Sequence, residues 1–297
     1  MGQVHTARGS RMPIGMRMRM AITRRRAEHW MLPPMHPLNS AMSRGRRRGF
    51  TSSNEGPDAF FFRRARRAGW AAGVVNRALP RLLQLASPTL PVGAYAYSQG
   101  LEWAVDTGRV ADEAGTLAWV GALLEHCVCL YEAPLLVCLQ QAWAARVHER
   151  VERLNADFIA SRETAELRAE TLQMGYSLRC LLREVEGVPL PAAFEALPEV
   201  AFPTAWALAA ALWAIPPAES VTAYLWSWCE NQVMAALKTV PLGQAAGQRL
   251  LLALGERIPP LAEQALELPE ALWSNFAPAF ALACCAHETQ YSRLFRS

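Results

Sequence analysis

From about residue 80 onward, hydrophobic and polar positions recur with the period of an α-helix. Ala and Leu dominate this part of the chain, Val and Ile are sparse, and no run alternates with the period of a β-strand. The sequence contains no internal repeat. The pattern therefore predicts an all-α fold, a single helical-bundle-like domain of about 8–10 helices over residues 71–297.

Prolines and polar residues at the ends of the periodic segments predict the helix boundaries. Pro134 is expected to kink or break the second helix, Pro203 suits a first helical turn, and Ser220 is a candidate N-cap. A proline-rich connector is predicted at 186–198. The predicted helices span residues 97–105, 112–146, 155–185, 206–213, 219–240, 244–256, 258–268 and 274–292.

The third predicted helix carries charged residues at helical spacing. They predict a solvent face made of Arg162, Glu166, Glu170, Arg179 and Arg183. The opposite, buried face is expected to carry Leu172, Leu178, Leu181, Leu182 and Val185.

The segment 200–218 is uncharged and long enough to cross a bilayer. Pro203, Pro216 and Pro217 interrupt it, and much of its bulk is alanine. A buried core helix is therefore the expected structure of this segment, and no membrane is expected among the partners of the protein.

The composition changes near residue 70. The first 70 residues hold fifteen arginines against Glu28, Glu55 and Asp58, a net charge of +12 within a chain whose total is +4. We predict a disordered Arg- and Met-rich extension over residues 1–70. It could bind the phosphates of nucleic acid or of a membrane surface, act as a transit peptide, or have no role. The favoured interpretation is an extension without nucleic-acid binding.

The seven cysteines all lie beyond residue 120 at irregular spacing. An odd number within apolar helical segments predicts free thiols in a reducing compartment rather than a disulfide framework.

The sequence contains only fragments of known catalytic and metal-binding motifs. The single lysine, Lys238, precedes Thr239 but follows no glycine-rich loop, so the protein is not expected to be a P-loop NTPase. His287 and Glu288 begin like a zinc-protease motif, but Tyr291 stands where the second histidine belongs. Cys284 and His287 share a helix face and could form a soft metal site.

Three segments rich in aromatic and small residues remain. The uncharged turn SPTLPVGAYAYSQG at 87–100 could be a ligand-binding loop, a structural corner or a docking surface that projects Tyr95 and Tyr97. The helix at 223–251 fits a protein interface and a core helix equally well. The last segment, HETQYSRLFRS at 287–297, places Leu294 and Phe295 where chains are usually polar. We therefore expect it to dock, on its own body or on a partner.

These segments together resemble the family of the urease accessory protein UreF. The residues that carry the resemblance are LLQLASPTLPVGAYAYSQGLEWAV (82–105), YLWSWCENQVMAALKTVPLGQAAGQRLL (224–251) and HETQYSRLFRS (287–297). They bracket the body of the chain from about residue 80 to 297. The basic arm has no counterpart in the family pattern.

The resemblance implies a cytoplasmic, non-catalytic homodimer that assembles with UreD (UreH in some systems) and the GTPase UreG on apo-urease. The complex would insert nickel with GTP hydrolysis, and the adaptor could modulate the GTPase. No cofactor would be bound stably, because nickel is handled by the complex. By position, the resemblance implies partner binding by Tyr95, Glu102, Lys238, Arg293, Leu294 and Phe295, and dimer contacts by Tyr224 and Trp226.

Two alternatives stay open at this point. One is a helical metal carrier that binds nickel through Cys284, Cys285 and His287. The other is an unrecognised helical enzyme, which is disfavoured because the three segments hold no paired general acid and base within one helical turn.

Overall fold

A computed structural model describes residues 78–185 and 190–297. Within these ranges the chain forms helices and no β-strand, which confirms the all-α prediction. The predicted extension over residues 1–70 lies outside the described residues, as does the beginning of the proline-rich connector.

The helices, in chain order, are α1 (Leu79–Leu85), α2 (Leu101–Asp106), α3 (Glu113–Leu123), α4 (Ala133–Ala144), α5 (His148–Ala160), α6 (Ala165–Val185), α7 (Ala192–Glu195), α8 (Phe202–Leu212), α9 (Pro217–Thr239), α10 (Gln244–Gly255), α11 (Ile258–Glu267) and α12 (Pro278–Glu288). Short 3₁₀ turns occupy Ala94–Ala96 and Glu270–Leu272. A π-helical segment, Leu124–Glu132, joins α3 to α4.

Helix α8 forms the centre of the core, where it packs against α4 and α6. Its small side chains let these helices approach closely, and Trp206 is completely buried among them. The Trp206 ring meets Tyr224 edge-on at 5.2 Å, and its Nε1 donates to Ser220 Oγ at 3.2 Å. Ser220 thus lies within α9 as a core hydrogen-bond partner, and its prediction as an N-cap is wrong.

Polar side chains of α5 and α6 hold the connector that leads into α8. Thr171 Oγ1 accepts from Phe202 N at 3.0 Å, and Arg179 Nη1 donates to Leu197 O at 2.9 Å. Gly175 permits the close approach, because a Cβ there would lie 1.9 Å from Val200 O. The predicted solvent face of α6 is therefore wrong at Arg179, which is buried to satisfy backbone groups of another segment.

The third predicted helix is two helices, α5 and α6, that break at residues 161–164. Thr164 Oγ1 accepts from Leu167 N at 3.1 Å and so caps α6. The break turns Arg162 inward, away from the predicted solvent face. Of the predicted apolar face, Leu178 and Leu182 are fully buried, whereas Val185 is exposed.

Pro134 does not break the second helix, which runs continuously from Glu113 to Ala144. The π-helical segment before the proline widens the turn. A proline cannot donate to the carbonyl four residues earlier. That carbonyl, Leu130 O, accepts instead from Ser274 N at 3.1 Å.

Helix 113–144 is long and apolar enough to cross a membrane, but 67% of its most apolar window is buried inside the protein. Core helices of water-soluble proteins show the same combination. The segment 200–218 holds the shorter helix α8, which is buried in the core as expected.

Candidate functional site

The loop between α1 and α2 takes its shape from two glycines with positive φ. Gly93 has φ +81° and precedes the 3₁₀ turn, and Gly100 has φ +75° and precedes α2. A Cβ on Gly100 would lie 3.2 Å from Cys284 N, so the glycine also lets α12 approach. The helix begins at Leu101, four residues later than predicted.

The two loop tyrosines have different environments. Tyr97 is 3% exposed, so the prediction that it projects for docking is wrong. Tyr95 is half-buried, and burial together with the nearby charge of Glu230 raises its pKa to about 12. Tyr95 is thus the loop tyrosine that a partner can reach.

The carboxylate of Glu102 forms hydrogen bonds with the C-terminal segment, residues 289–297, which we call the tail. Its oxygens accept from Leu294 N at 2.6 Å and from Phe295 N at 3.0 Å. Glu102 is 7% exposed, and it contacts the tail rather than solvent. The contacts of Glu102 in this structure are therefore all within the chain. That Glu102 also binds a partner protein stays a prediction.

His287 connects Glu102 to a second carboxylate, Glu166. Its Nε2 lies 3.2 Å from Glu102 Oε2 and its Nδ1 lies 2.8 Å from Glu166 Oε2. Glu166 also pairs with Arg293 of the tail. Because both ring nitrogens face carboxylate oxygens and the ring is fully buried, His287 is oriented to hold α2, α6 and the tail together.

A third carboxylate, Glu170, completes the set, and we call Glu102, Glu166 and Glu170 with His287 the carboxylate clasp. Glu170 accepts from Gln99 Nε2 at 2.8 Å and from Ser297 Oγ at 3.3 Å. Burial raises the pKa of Glu170 from its ordinary value of 4.5 to about 7, although these two hydrogen bonds act in the opposite direction.

The tail itself lies along the loop. Arg296 N donates to Ala96 O at 2.8 Å, and Ser98 N donates to Ser297 O at 2.7 Å. Phe295 is buried, and Lys238 of α9 lies 5.2 Å from the centre of its ring. The tail therefore docks on its own body, one of the two arrangements expected from the sequence.

The tail nevertheless presents apolar side chains to solvent. Leu294 is 74% exposed and the side chain of Tyr291 is fully exposed. The loop, helix α9 and the tail are far apart in the sequence, but they contact one another in the fold, and we call their exposed parts together the partner surface.

A buried ion pair lies behind this surface, between Glu132 of the π-helical segment and Arg162. Arg162 Nη1 donates to Glu132 Oε1 at 2.8 Å, and Tyr224 OH donates to Glu132 Oε2 at 2.9 Å. Tyr224 is 5% exposed, whereas Trp226 is 36% exposed on the outer face of α9. Of the two predicted dimer residues, Trp226 is accessible and Tyr224 is a core residue.

The candidate metal ligands do not converge. Cys284 is buried, Cys285 is exposed, and His287 uses both nitrogens within the clasp. Burial raises the pKa of the Cys284 thiol, which disfavours the thiolate that binds metal. In residues 78–185 and 190–297, no group of three or more His, Cys, Asp and Glu side chains is placed to hold a metal ion.

Sequence reasoning missed the residues that build the site, namely Gln99, Glu132, Arg162, Glu166 and Glu170. One signal was present, since Glu166 and Glu170 lie four residues apart on one helix face. Their partners in the tail are more than 120 residues away, so the charges resembled a solvated face. The seven cysteines are free thiols, as predicted.

The fold and this surface describe an all-α protein with a docked C-terminal tail. The family model for UreF matches residues 110–255. The urease accessory protein UreF of Dechloromonas aromatica (strain RCB) is 62% identical over 222 residues, which cover 74% of this chain and 97% of that protein.

Two further relatives that are similar to this chain also carry the name of urease accessory protein. UreF of Azoarcus sp. (strain BH72) is 59% identical over 223 residues, which cover 74% of this chain and 95% of the relative. The bifunctional urease accessory protein UreEF of Bordetella bronchiseptica is 46% identical over 224 residues, which cover 74% of this chain and 52% of the relative. The chain belongs to the UreF family of urease accessory proteins.

Proposed function

We propose that this protein is a cytoplasmic, non-catalytic adaptor in urease maturation. It assembles with UreD (UreH) and the GTPase UreG on apo-urease, and the complex inserts nickel with GTP hydrolysis. The observation that carries the proposal is the surface on which the loop, α9 and the tail meet. The three segments of the family resemblance are distant in sequence, yet they are bonded to one another in the fold.

The tail is the element that we assign to UreD. It is seated through backbone hydrogen bonds to Glu102 and to the loop, so its conformation is fixed before a partner arrives. A preorganised segment loses less conformational entropy on binding. Leu294 and Tyr291 remain exposed and supply the apolar contact area.

The loop is the element that we assign to UreG, with Tyr95 as its contact residue. Glu102 supports this surface indirectly, because its carboxylate holds the tail against the loop. An adaptor of this kind positions the GTPase and could modulate its hydrolysis without supplying a catalytic group of its own.

The outer face of α9 is the surface that we assign to a homodimer. Trp226 and Met234 are 36% and 39% exposed and lie on the same side of the helix. Tyr224 supports this helix from within through its hydrogen bond to Glu132. Trp226→Asp is expected to shift sedimentation toward the monomer while leaving helicity unchanged; a dimer that persists would contradict the assignment.

Nickel is proposed as cargo of the assembled complex, and no cofactor is assigned to this chain. Direct carriage through Cys284, Cys285 and His287 has no support in the geometry described above, because these side chains do not converge. Equilibrium dialysis of the isolated protein against nickel at micromolar concentration tests whether the chain binds nickel directly. Stoichiometric retention of nickel would support the carrier hypothesis instead.

The proposal is tested by co-expression with apo-urease, UreD and UreG. Leu294→Asp places a charge on the exposed part of the tail and is expected to abolish both co-purification of UreD and urease activation. Leu252→Asp is the matched control, because Leu252 is 71% exposed on α10. Urease activation that is unchanged by Leu294→Asp would contradict the assignment of the tail to UreD. Urease activation in the absence of this chain would contradict the proposed function.

A further inference from the structure

A pocket lies between the loop and helices α6, α8 and α9. Half-buried residues of the loop, among them Ser87, Ala94 and Tyr95, line its rim. Its walls are mainly apolar and are formed by Leu85, Leu90, Val92, Met174, Phe202 and Trp206. The cavity of about 80 Å³ has room for roughly five water-sized groups.

Four of the side chains that line the pocket, Gln99, Arg162, Tyr224 and Trp228, already use their hydrogen-bond donors within the protein. Trp228 Nε1 donates to Gln99 Oε1 at 2.9 Å, and Gln99 Nε2 donates onward to Glu170. Tyr224 OH and Arg162 Nη1 both donate to Glu132. A ligand that offers only acceptors would therefore find no free donor among these groups.

One buried acceptor of the lining, by contrast, has no donor. Asn231 lines the pocket and is 7% exposed, and its Nδ2 donates to Tyr97 O at 3.4 Å. Its Oδ1 is buried and has no hydrogen-bond partner within the described part of the chain. An orphaned buried acceptor costs free energy unless a donor reaches it. The pocket is thus built for a group that donates hydrogen bonds.

The charges and the aromatic rings that line the pocket indicate the chemical class of the ligand. Two carboxylates, Glu132 and Glu170, face one guanidinium, Arg162, among the lining residues. The rings of Phe202, Trp206 and Tyr224 contact one another at the wall at 5.2–6.0 Å. When Glu170 is ionised, above its pKa of about 7, these three groups carry a net negative charge, and negative charge beside aromatic faces favours a cation. A metal ion does not fit, since no group of three suitable ligands occurs in the described ranges.

We propose that this pocket is a binding site for a small primary alkylammonium ion. The ammonium group donates to Asn231 Oδ1 and to the Glu170 carboxylate, and the alkyl chain contacts the apolar wall formed by Met174 and Phe202. The proposal goes beyond the adaptor function and does not rest on it, although the two share Tyr95, which lines the pocket and is also the residue assigned to UreG.

The proposal is tested by isothermal titration of the full-length chain with n-butylammonium chloride at constant ionic strength, with 1-butanol and butyrate as probes of the same size. We expect saturable binding of one butylammonium in the millimolar range, as suits a ligand of about five heavy atoms. Binding should be at least about tenfold tighter than for 1-butanol, because hydrogen bonds to charged groups are stronger.

Two variants locate the ligand. Asn231→Leu and Glu170→Gln are each expected to weaken butylammonium binding by about tenfold or more. Ser227→Ala is the matched control, since Ser227 lines the pocket but its hydroxyl donates to Tyr224 O of its own helix at 3.0 Å. If Asn231→Leu fails to fold, the butylammonium affinity of Glu170→Gln alone tests the proposed site.

Three results would overturn the proposal. The first is no saturable heat with butylammonium up to about 50 mM, well above the expected range. The second is equal affinity for 1-butanol, which would make the cavity merely apolar. The third is butylammonium affinity that Glu170→Gln leaves unchanged.

Discussion

The core around α8 and the seat of the tail are both buried, but different interactions hold them. Trp206 and the alanines of α8 are enclosed by apolar side chains, and only two indole hydrogen bonds, from Trp206 and from Trp143, are found at this helix within the described residues. The tail is held by carboxylates that accept from its backbone and side chains. Apolar burial depends little on pH and salt, whereas a carboxylate seat depends on charge. The core should therefore make the larger, pH-independent contribution to global stability, and the clasp should add a pH-dependent contribution and control local opening of the tail.

The largest expected effect is on the core. Trp206→Ala removes a fully buried indole and leaves a cavity, so the free energy of unfolding is expected to fall by about 3–5 kcal/mol. Urea denaturation followed by far-UV circular dichroism measures it. Trp226→Ala is the matched control, because Trp226 is 36% exposed, and it should cost far less. Equal losses for the two tryptophans would show that α8 is not the centre of stability.

The second effect concerns Glu170, a member of the clasp whose charged form is disfavoured by burial. Its pKa in the folded state is about 7, above the ordinary value of 4.5, so the native state binds its proton more tightly than the unfolded chain does. The stabilising contribution of the neutral form is complete below about pH 4.5 and is lost as the pH rises through 7. The difference is at most about 3 kcal/mol.

Glu170→Gln keeps a neutral side chain at every pH, so its unfolding free energy should lack this decline. The free energy of unfolding is measured by urea titration at several pH values between 4.5 and 8. Subtracting the value for the variant from that for the wild type removes the contributions of the other carboxyl groups. Glu152→Gln, an exposed change on α5, should leave that difference flat. A Glu170→Gln difference that is equally flat would mean that Glu170 titrates normally.

The third effect is confined to the tail. Glu102→Gln weakens the acceptor for Leu294 N and Phe295 N, and hydrogen bonds to charged groups contribute about 1.5–3 kcal/mol each. Amide hydrogen exchange of the tail should accelerate about tenfold to a hundredfold, while exchange in α8 stays unchanged. Glu113→Gln, at an exposed carboxylate paired with Arg249, is the control. Acceleration throughout the molecule would show that clasp and core form one cooperative unit.

The same contrast explains how much of this structure the sequence could predict. Features set by neighbouring residues were predictable, such as Pro203 in the first turn of α8, the span of α10 and the apolar burial of α8. Local signals were also sufficient to find Thr164 as the cap of α6, although that cap was missed. Partner-binding roles for Tyr95, Lys238 and the tail residues stay predictions.

Features set by distant partners were not predictable. Glu102 and Phe295 are separated by 193 residues, and Glu132 and Tyr224 by 92. A glutamate on an amphipathic helix resembles a solvated residue until the fold supplies a buried donor for it. Gly100 shows the same limit, since its sequence context predicts a turn but not the approach of Cys284.

The smallest effect concerns the single lysine. Lys238 lies 5.2 Å from the centre of the Phe295 ring, and such a contact at an exposed site contributes about 0.5–1 kcal/mol. Lys238→Met keeps an apolar side chain of similar length but removes the cation, so exchange of the Phe295 amide should accelerate about twofold to fivefold. Lys238→Arg keeps a cation over the ring and should preserve wild-type protection. If methionine protects the tail as well as arginine does, apolar contact alone seats Phe295, and the clasp is the only part of the seat that depends on charge.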